Sequence, residues 1–179
     1  MYIWVGCKLP ERFEEELRGV CLAHNRDIGL DTAAFDMPQH ISLKISFAAD
    51  DGQAEEIFAF LEDLLSRESR FYVNLLPPEI LDTILWLPVL EAPTLRRLHD
   101  TLDRELLTRF GISPHPLDQC FFFHSTLFMD PDTGKLSRMR QLLSHDCPGG
   151  TLPVEGFLLG CSPNGEPGSY RIRKEIKIF

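Results

Sequence analysis

Two short segments of this chain carry the same pattern. Residues 40–43 read His-Ile-Ser-Leu and residues 124–127 read His-Ser-Thr-Leu. Each lies at or within an apolar run, 41–47 (ISLKISF) and 121–129 (FFFHSTLFM), of the kind that forms a half-buried strand. Side chains two apart on a strand point to the same face. His40 and Ser42 therefore project together, with Lys44 next on that face, while Ile41, Leu43 and Ile45 turn inward. His124 and Thr126 share a face in the same way, flanked by Phe122 and Phe128. Each strand thus offers one imidazole and one hydroxyl to the same space. Two copies of such a unit would face their histidines across a cleft.

The four letters alone do not make such a unit. A third copy, His99-Asp100-Thr101-Leu102, lies where Leu95, Leu98, Leu102 and Leu106 repeat at helical spacing. Residues two apart on a helix point about 200° from each other. His99 and Thr101 therefore cannot grip one group, and strand context separates the two useful copies from this one.

The rest of the chain alternates strand and helix. Residues 2–7 (YIWVGC) read as a strand and 11–24 as a helix with Phe13, Leu17, Val20 and Cys21 on one side. A helix over about 53–66 buries Ile57, Phe58, Leu61, Leu64 and Leu65. Strands are expected at 71–76 and 80–89, then a helix that starts at Pro93 and stops at Gly111. Residues 112–119 look like a connection, and a short helix is expected near 136–143. Strands at about 152–159 and 170–179 close the chain around the turn-rich CSPNGEPG. From each histidine the next helix comes about a dozen residues on and the next strand about thirty, which suggests a duplicated unit around a pseudo-two-fold axis. The order favours an α+β fold over a doubly wound parallel sheet.

Composition narrows the chemistry. The 179 residues suit one domain, or two lobes sharing a core, and a chain of this length buries roughly 70% of its unfolded surface. Net charge is −9, which is poor equipment for a long, sequence-independent grip on a nucleic-acid backbone. A small anion or the end of a chain fits better. Five cysteines with no C-x-x-C pair argue against a disulfide framework or a zinc knuckle and for reduced thiols in a cytoplasmic protein. No signal peptide and no membrane span are expected. A G-x-x-x-x-G-K-[ST] string is absent, so nucleotide-dependent ligation or kinase chemistry lacks support.

Two imidazole–hydroxyl pairs suit phosphoryl chemistry. A neutral imidazole takes a proton from the attacking hydroxyl or water, and a protonated one gives a proton to the leaving oxygen; an ordinary pKa of about 6.5 allows both states near neutrality. The hydroxyls donate to non-bridging phosphate oxygens. No metal and no cofactor are called for. Arg171 and Arg173 share a face of the last strand with Lys177 and are candidates to extend a phosphate groove. Trp4 and Trp86 read as core.

At PQ-HISL (38–43) and FFF-HSTL (121–127), 84 positions apart, the sequence resembles the two-histidine (2H) phosphoesterase superfamily. That superfamily includes the proteins called 2′-5′ RNA ligases or RNA 2′,3′-cyclic phosphodiesterases. The resemblance spans nearly the whole chain, from YIWVGCKLP to YRIRKEIKIF. It implies a bilobed, LigT-like α+β fold over residues 1–179, with two pseudo-symmetric antiparallel sheets around a central groove and helices outside. It implies His40 and His124 as the acid–base pair and Ser42 and Thr126 as phosphate anchors, with Ser rather than Thr at 42 as a departure that keeps the hydroxyl. The implied reaction is metal-free hydrolysis of a 2′,3′-cyclic phosphate on an RNA end or a small nucleotide. Activity on 2′-5′ linkages, or a non-catalytic RNA- or nucleotide-binding module, are the alternatives. No obligate protein partner is implied, and a monomer is the default expectation.

Overall fold

A computed structural model of the chain describes residues 1–90, 92–166 and 168–179. The strands are β1 (Tyr2–Lys8), β2 (His40–Ser42), β3 (Phe47–Ala48), β4 (Phe71–Leu75), β5 (Glu79–Leu81), β6 (Ile84–Leu90), β7 (His124–Met129), β8 (Gly150–Val154), β9 (Gly156–Ser162) and β10 (Arg171–Lys177). The helices are α1 (Glu11–Asn25), α2 (Asp51–Leu65), α3 (Pro93–Phe110) and α4 (Thr133–Asp146). The fold is α+β.

Two antiparallel sheets carry the strands. The first runs β10-β9-β1-β2, with β3 also on β1; the second runs β5-β6-β4-β8, with β7 also on β6. Each sheet has the same plan. A central strand (β1 or β6) holds a motif strand (β2 or β7) and a short strand (β3 or β5). It also leads into two further strands, β9 and β10 in the first sheet, β4 and β8 in the second.

The duplication therefore begins further upstream than the histidines suggest. The matched units are β1-α1-β2-α2 and β6-α3-β7-α4. The strand that follows α2 crosses into the second sheet, and the chain returns to the first only at β9. This exchange of outer strands ties the two halves together, and their buried side chains form one continuous cluster.

Helical spacing buries the expected stripes. Leu95, Leu98, Leu102 and Leu106 of α3 are fully buried, each contributing roughly 2 kcal/mol by removal from water. Gly111 ends α3 at φ 70°, a left-handed conformation that glycine adopts without strain, and its N–H closes on the carbonyls of Leu106 and Leu107. Helix α4 starts earlier than its apolar periodicity indicates. Asp132 Oδ1 accepts from the N–H groups of Gly134 and Lys135 at 2.9 and 3.1 Å and caps the first turn ahead of the apolar stripe.

Three expected strands are broken. The run 80–89 is a hairpin, β5 and β6, turned at Asp82 with φ 52°. The run 152–159 is split at Glu155, so that β8 and β9 join different sheets. The run 41–47 stops at Ser42, bends, and resumes at Phe47. No helix among the described residues is long and apolar enough to cross a membrane.

Candidate active site

The cleft lies where the two motif strands meet. Ser125 Oγ, next to His124, donates to Gln39 Oε1, next to His40, at 2.9 Å, and both partners are buried. This bond joins the two sheets directly behind the histidines. In the ladders His40 faces Lys8 and Ser42 faces Gly6; His124 faces Pro88 and Thr126 faces Trp86.

The two imidazoles are held in the same way. His40 Nδ1 lies 2.7 Å from the carbonyl oxygen of Pro38, and His124 Nδ1 lies 2.8 Å from that of Phe122. A carbonyl only accepts, so Nδ1 carries the proton in each ring. Nε2 is then left with a lone pair in the neutral form and an N–H in the charged form. Each ring leans on an indole, His40 on Trp4 and His124 on Trp86, both with centroids 4.4 Å apart.

Burial lowers both imidazoles from their ordinary value. For His40 burial takes the pKa down to about 4; the Pro38 carbonyl opposes the fall, and the charge of nearby His124 adds to it. For His124 burial again dominates and the Phe122 carbonyl again opposes it. His40 and His124 line a common cavity of about 370 Å³ with Ser42. A second cavity of about 170 Å³ adjoins it, sharing Met37, His40, Met129 and Tyr170, and brings in Thr126 and Arg171. The indole N–H of Trp4 donates to Ser42 Oγ at 3.0 Å, so the Ser42 hydroxyl hydrogen stays free to donate into the cleft.

Arg171 stands at the edge of the smaller cavity, its guanidinium held by the carbonyls of Gly168 and Tyr170 at 2.8 and 2.7 Å. Arg173 does not reach the cleft. A bulge in β10 between Ile172 and Lys174 breaks the alternation. Arg173 turns to α2, where it pairs with Glu55 at 2.5 Å and covers the ring of Phe58 at 4.4 Å; Lys174 follows it to Glu62. A similar shift in the β6–β7 ladder skips Leu127. Leu127 and Phe128 are therefore both buried, and Phe128 packs edge-on against Phe35 rather than beside Thr126. Phe122 precedes the strand and is 69% exposed.

Lys44 is the largest departure from strand alternation. The bend after Ser42 carries it inward until it is 1% exposed, bonded to Asp103 and Asp118. Burial alone would raise the Asp118 carboxyl, but the Lys44 ammonium and the N–H groups of His115 and Ile45 outweigh it and hold the pKa below the ordinary value. His99 completes the cluster, its ring nitrogens 2.7 and 3.1 Å from the carbonyls of Leu43 and Asp118. It is a buried strut of α3. The ligand atoms of His99, Asp103 and Asp118 lie within 4.8 Å of one another. The ammonium of Lys44 already supplies the positive charge those carboxylates require.

Sequence reasoning missed Trp4, Met37, Met129 and Tyr170 as cleft walls. A signal for Trp4 was present in the glycines. A Cβ at Gly6 or Gly160 would strike its indole, and glycine inside a strand marks such a close approach.

No protein-family model matches the chain, and no curated protein does. Solved structures do. TT0787 of Thermus thermophilus superposes with a TM-score of 0.69 at 19% identity, over 99% of this chain and 98% of that one. A protein described as a phosphoesterase gives 0.67 at 19% identity over 99% and 98%. E. coli LigT in complex with phosphate gives 0.63 at 17% identity over 98% and 96%. At such identities the likeness speaks for the backbone. The chain has a LigT-like fold.

Proposed function

We propose that the chain is a metal-independent phosphodiesterase that hydrolyses 2′,3′-cyclic phosphates by two-histidine acid–base catalysis. The observation that carries this reading is the matched tethering of His40 and His124. Both rings have Nδ1 tied to a carbonyl two residues back, and both open on one cavity that also holds a free hydroxyl hydrogen. E. coli LigT has been solved with phosphate and with 3′-AMP, ligands of the same chemical kind.

The environments separate the roles. Burial bears more heavily on His40 than on His124, and their mutual repulsion keeps both from being charged at once, so a single proton shared by the pair resides on His124. His40 is then the base and His124 the acid. Water attacks phosphorus as its proton passes to His40 Nε2. A P–O bond forms from water, the bond to one ribose oxygen breaks, and His124 Nε2 donates its proton to that oxygen. Ser42 and Thr126 donate to the non-bridging oxygens, whose charge grows in the transition state. Proton exchange with solvent resets the pair.

The test is turnover of a nucleoside 2′,3′-cyclic phosphate in excess EDTA by wild type, His40→Ala and His124→Ala. Turnover that survives EDTA and drops about 10²–10⁴-fold in each variant is the expected result. Turnover that requires added metal, or that survives loss of either imidazole, would sink the mechanism.

A further inference from the structure

We infer that the substrate is a single nucleotide bearing a cyclic phosphate, and that the cleft makes no charged contact with the backbone of a longer RNA. This rests on the reaction proposed above and names the substrate class of the same site. Among the described residues that wall the cleft, free positive charge is scarce.

Among the described residues walling the two cavities, Lys44 and Arg171 carry permanent positive charge. Lys44 is buried and neutralised by Asp103 and Asp118. Lys8, which faces His40 across the ladder, is tied to Glu175 at 2.7 Å. Arg173 and Lys174 are tied to α2 at 2.5 Å each. Arg171 alone of these five makes no ion pair with a described residue; its partners are carbonyls, which leave its charge intact. Asp36 places a carboxylate on the wall of the same small cavity. Among the described residues the two cavities thus offer two imidazoles, the hydroxyls of Ser42 and Thr126 and one guanidinium, enough for one phosphate, while the hydroxyls of Tyr170 and Ser46 are bonded to each other at 2.7 Å.

Most of the remaining walls are apolar. Met37, Met129 and Tyr170 line both cavities, and Ile45 and Phe121 line the larger. Thioethers and aromatic rings suit the faces of a nucleobase. The larger cavity, about 370 Å³, falls in the lower range of small-molecule sites. Each further phosphate of an RNA would enter the field of a chain with net charge −9. The neighbouring groove of about 620 Å³, reached past Lys44, Ile45 and Ser46, is the path such a strand would take. Asp50 lies on its wall, and Lys44, its one lysine or arginine among the described residues, is already paired.

The test compares cytidine 2′,3′-cyclic phosphate with a hexaribonucleotide ending in the same cyclic cytidylate, across 25–400 mM KCl. The expected result is a kcat/KM for the hexamer within about threefold of the mononucleotide. The slope of log kcat/KM against log salt should be about −0.7, the value for one phosphate contact. Arg171→Gln should flatten that slope and raise KM more than it lowers kcat. A hexamer preferred about tenfold or more, with a slope of about −2 or steeper, would overturn the inference and point to RNA running along the outer groove, while leaving the two-histidine chemistry standing. Failure to turn over either substrate would overturn the proposed reaction, and this inference with it.

Discussion

His40, Ser42 and Lys44 on one side of the cleft correspond to His124, Thr126 and Phe128 on the other. The first two positions match in detail, and the third diverges. Lys44 is pulled inward to a pair of carboxylates, and Phe128 is turned inward by a bulge to meet Phe35. The indoles differ as well. Trp86 stands opposite Thr126 in the ladder, whereas Trp4 lies beyond the pairs that hold His40 and Ser42 and reaches the imidazole over Gly6. The imidazole and its hydroxyl are thus held to one geometry by two different supports. What lies behind them has been free to serve folding.

The supports predict the largest difference between the halves. Lys44→Met leaves Asp103 and Asp118 beside each other with no ammonium, in a site where Asp118 is 3% exposed. Removing one partner of such a buried group costs about 3–5 kcal/mol. Phe128→Leu removes apolar volume without stranding a charge and should cost less than about 2 kcal/mol. Urea unfolding of both variants measures the gap. Adding Asp118→Asn to Lys44→Met should recover part of the loss, because it removes a carboxylate that the lysine had neutralised. Equal losses in the two single variants would mean that the cluster is no more than packing.

This divergence also marks where sequence reading stops. Period-two alternation placed Ser42 with His40 and Thr126 with His124, and 3.6-residue periodicity gave the buried stripe of α3. Those patterns record burial on one face, which the fold preserves. They say nothing of a bulge, because an extra residue changes which side chains share a face without changing composition. Arg173 and Phe128 were misplaced for that reason. Lys44 was misplaced because the carboxylates that draw it inward are 59 and 74 residues away. Strand exchange between the sheets was equally hidden, since β4 and β8 look alike whichever sheet they join.

The histidines give a smaller effect with a definite sign. His40 is lowered to about 4 in the folded chain and lies near about 6.5 when unfolded. Between those values the unfolded chain binds more protons, so stability rises with pH. Its contribution is complete above about pH 6.5 and is lost as pH falls toward about 4. The ceiling is about 3 kcal/mol from the shift itself, and solvent at the half-buried ring reduces it. Unfolding free energy measured from about pH 7 to pH 4 should therefore fall less in His40→Gln than in wild type. His124→Gln should flatten the same limb in the same direction. A His40→Gln profile parallel to wild type would show that the two imidazoles are not held apart by burial. It would also remove the reason for naming His40 as the base.

The indoles supply the finest comparison. Trp4 Nε1 donates to Ser42 Oγ at 3.0 Å, while Trp86 Nε1 is buried without a partner among the described residues. Replacing either with Phe removes an N–H and some apolar area, yet the consequences differ. Trp4→Phe frees the Ser42 hydroxyl to rotate and to point its hydrogen elsewhere, so kcat/KM should fall about tenfold, the equivalent of one hydrogen bond of about 1.4 kcal/mol. Trp86→Phe deletes a donor that nothing accepts, which relieves a desolvation cost and offsets the lost area. Its kcat/KM should stay within about threefold of wild type, and its unfolding midpoint close to it. Comparing both variants with Ser42→Ala sharpens the contrast. If Trp4 acts through Ser42, Trp4→Phe adds little in the Ser42→Ala background. If it acts only by packing on His40, the two losses multiply, and Trp4 and Trp86 become equivalent supports.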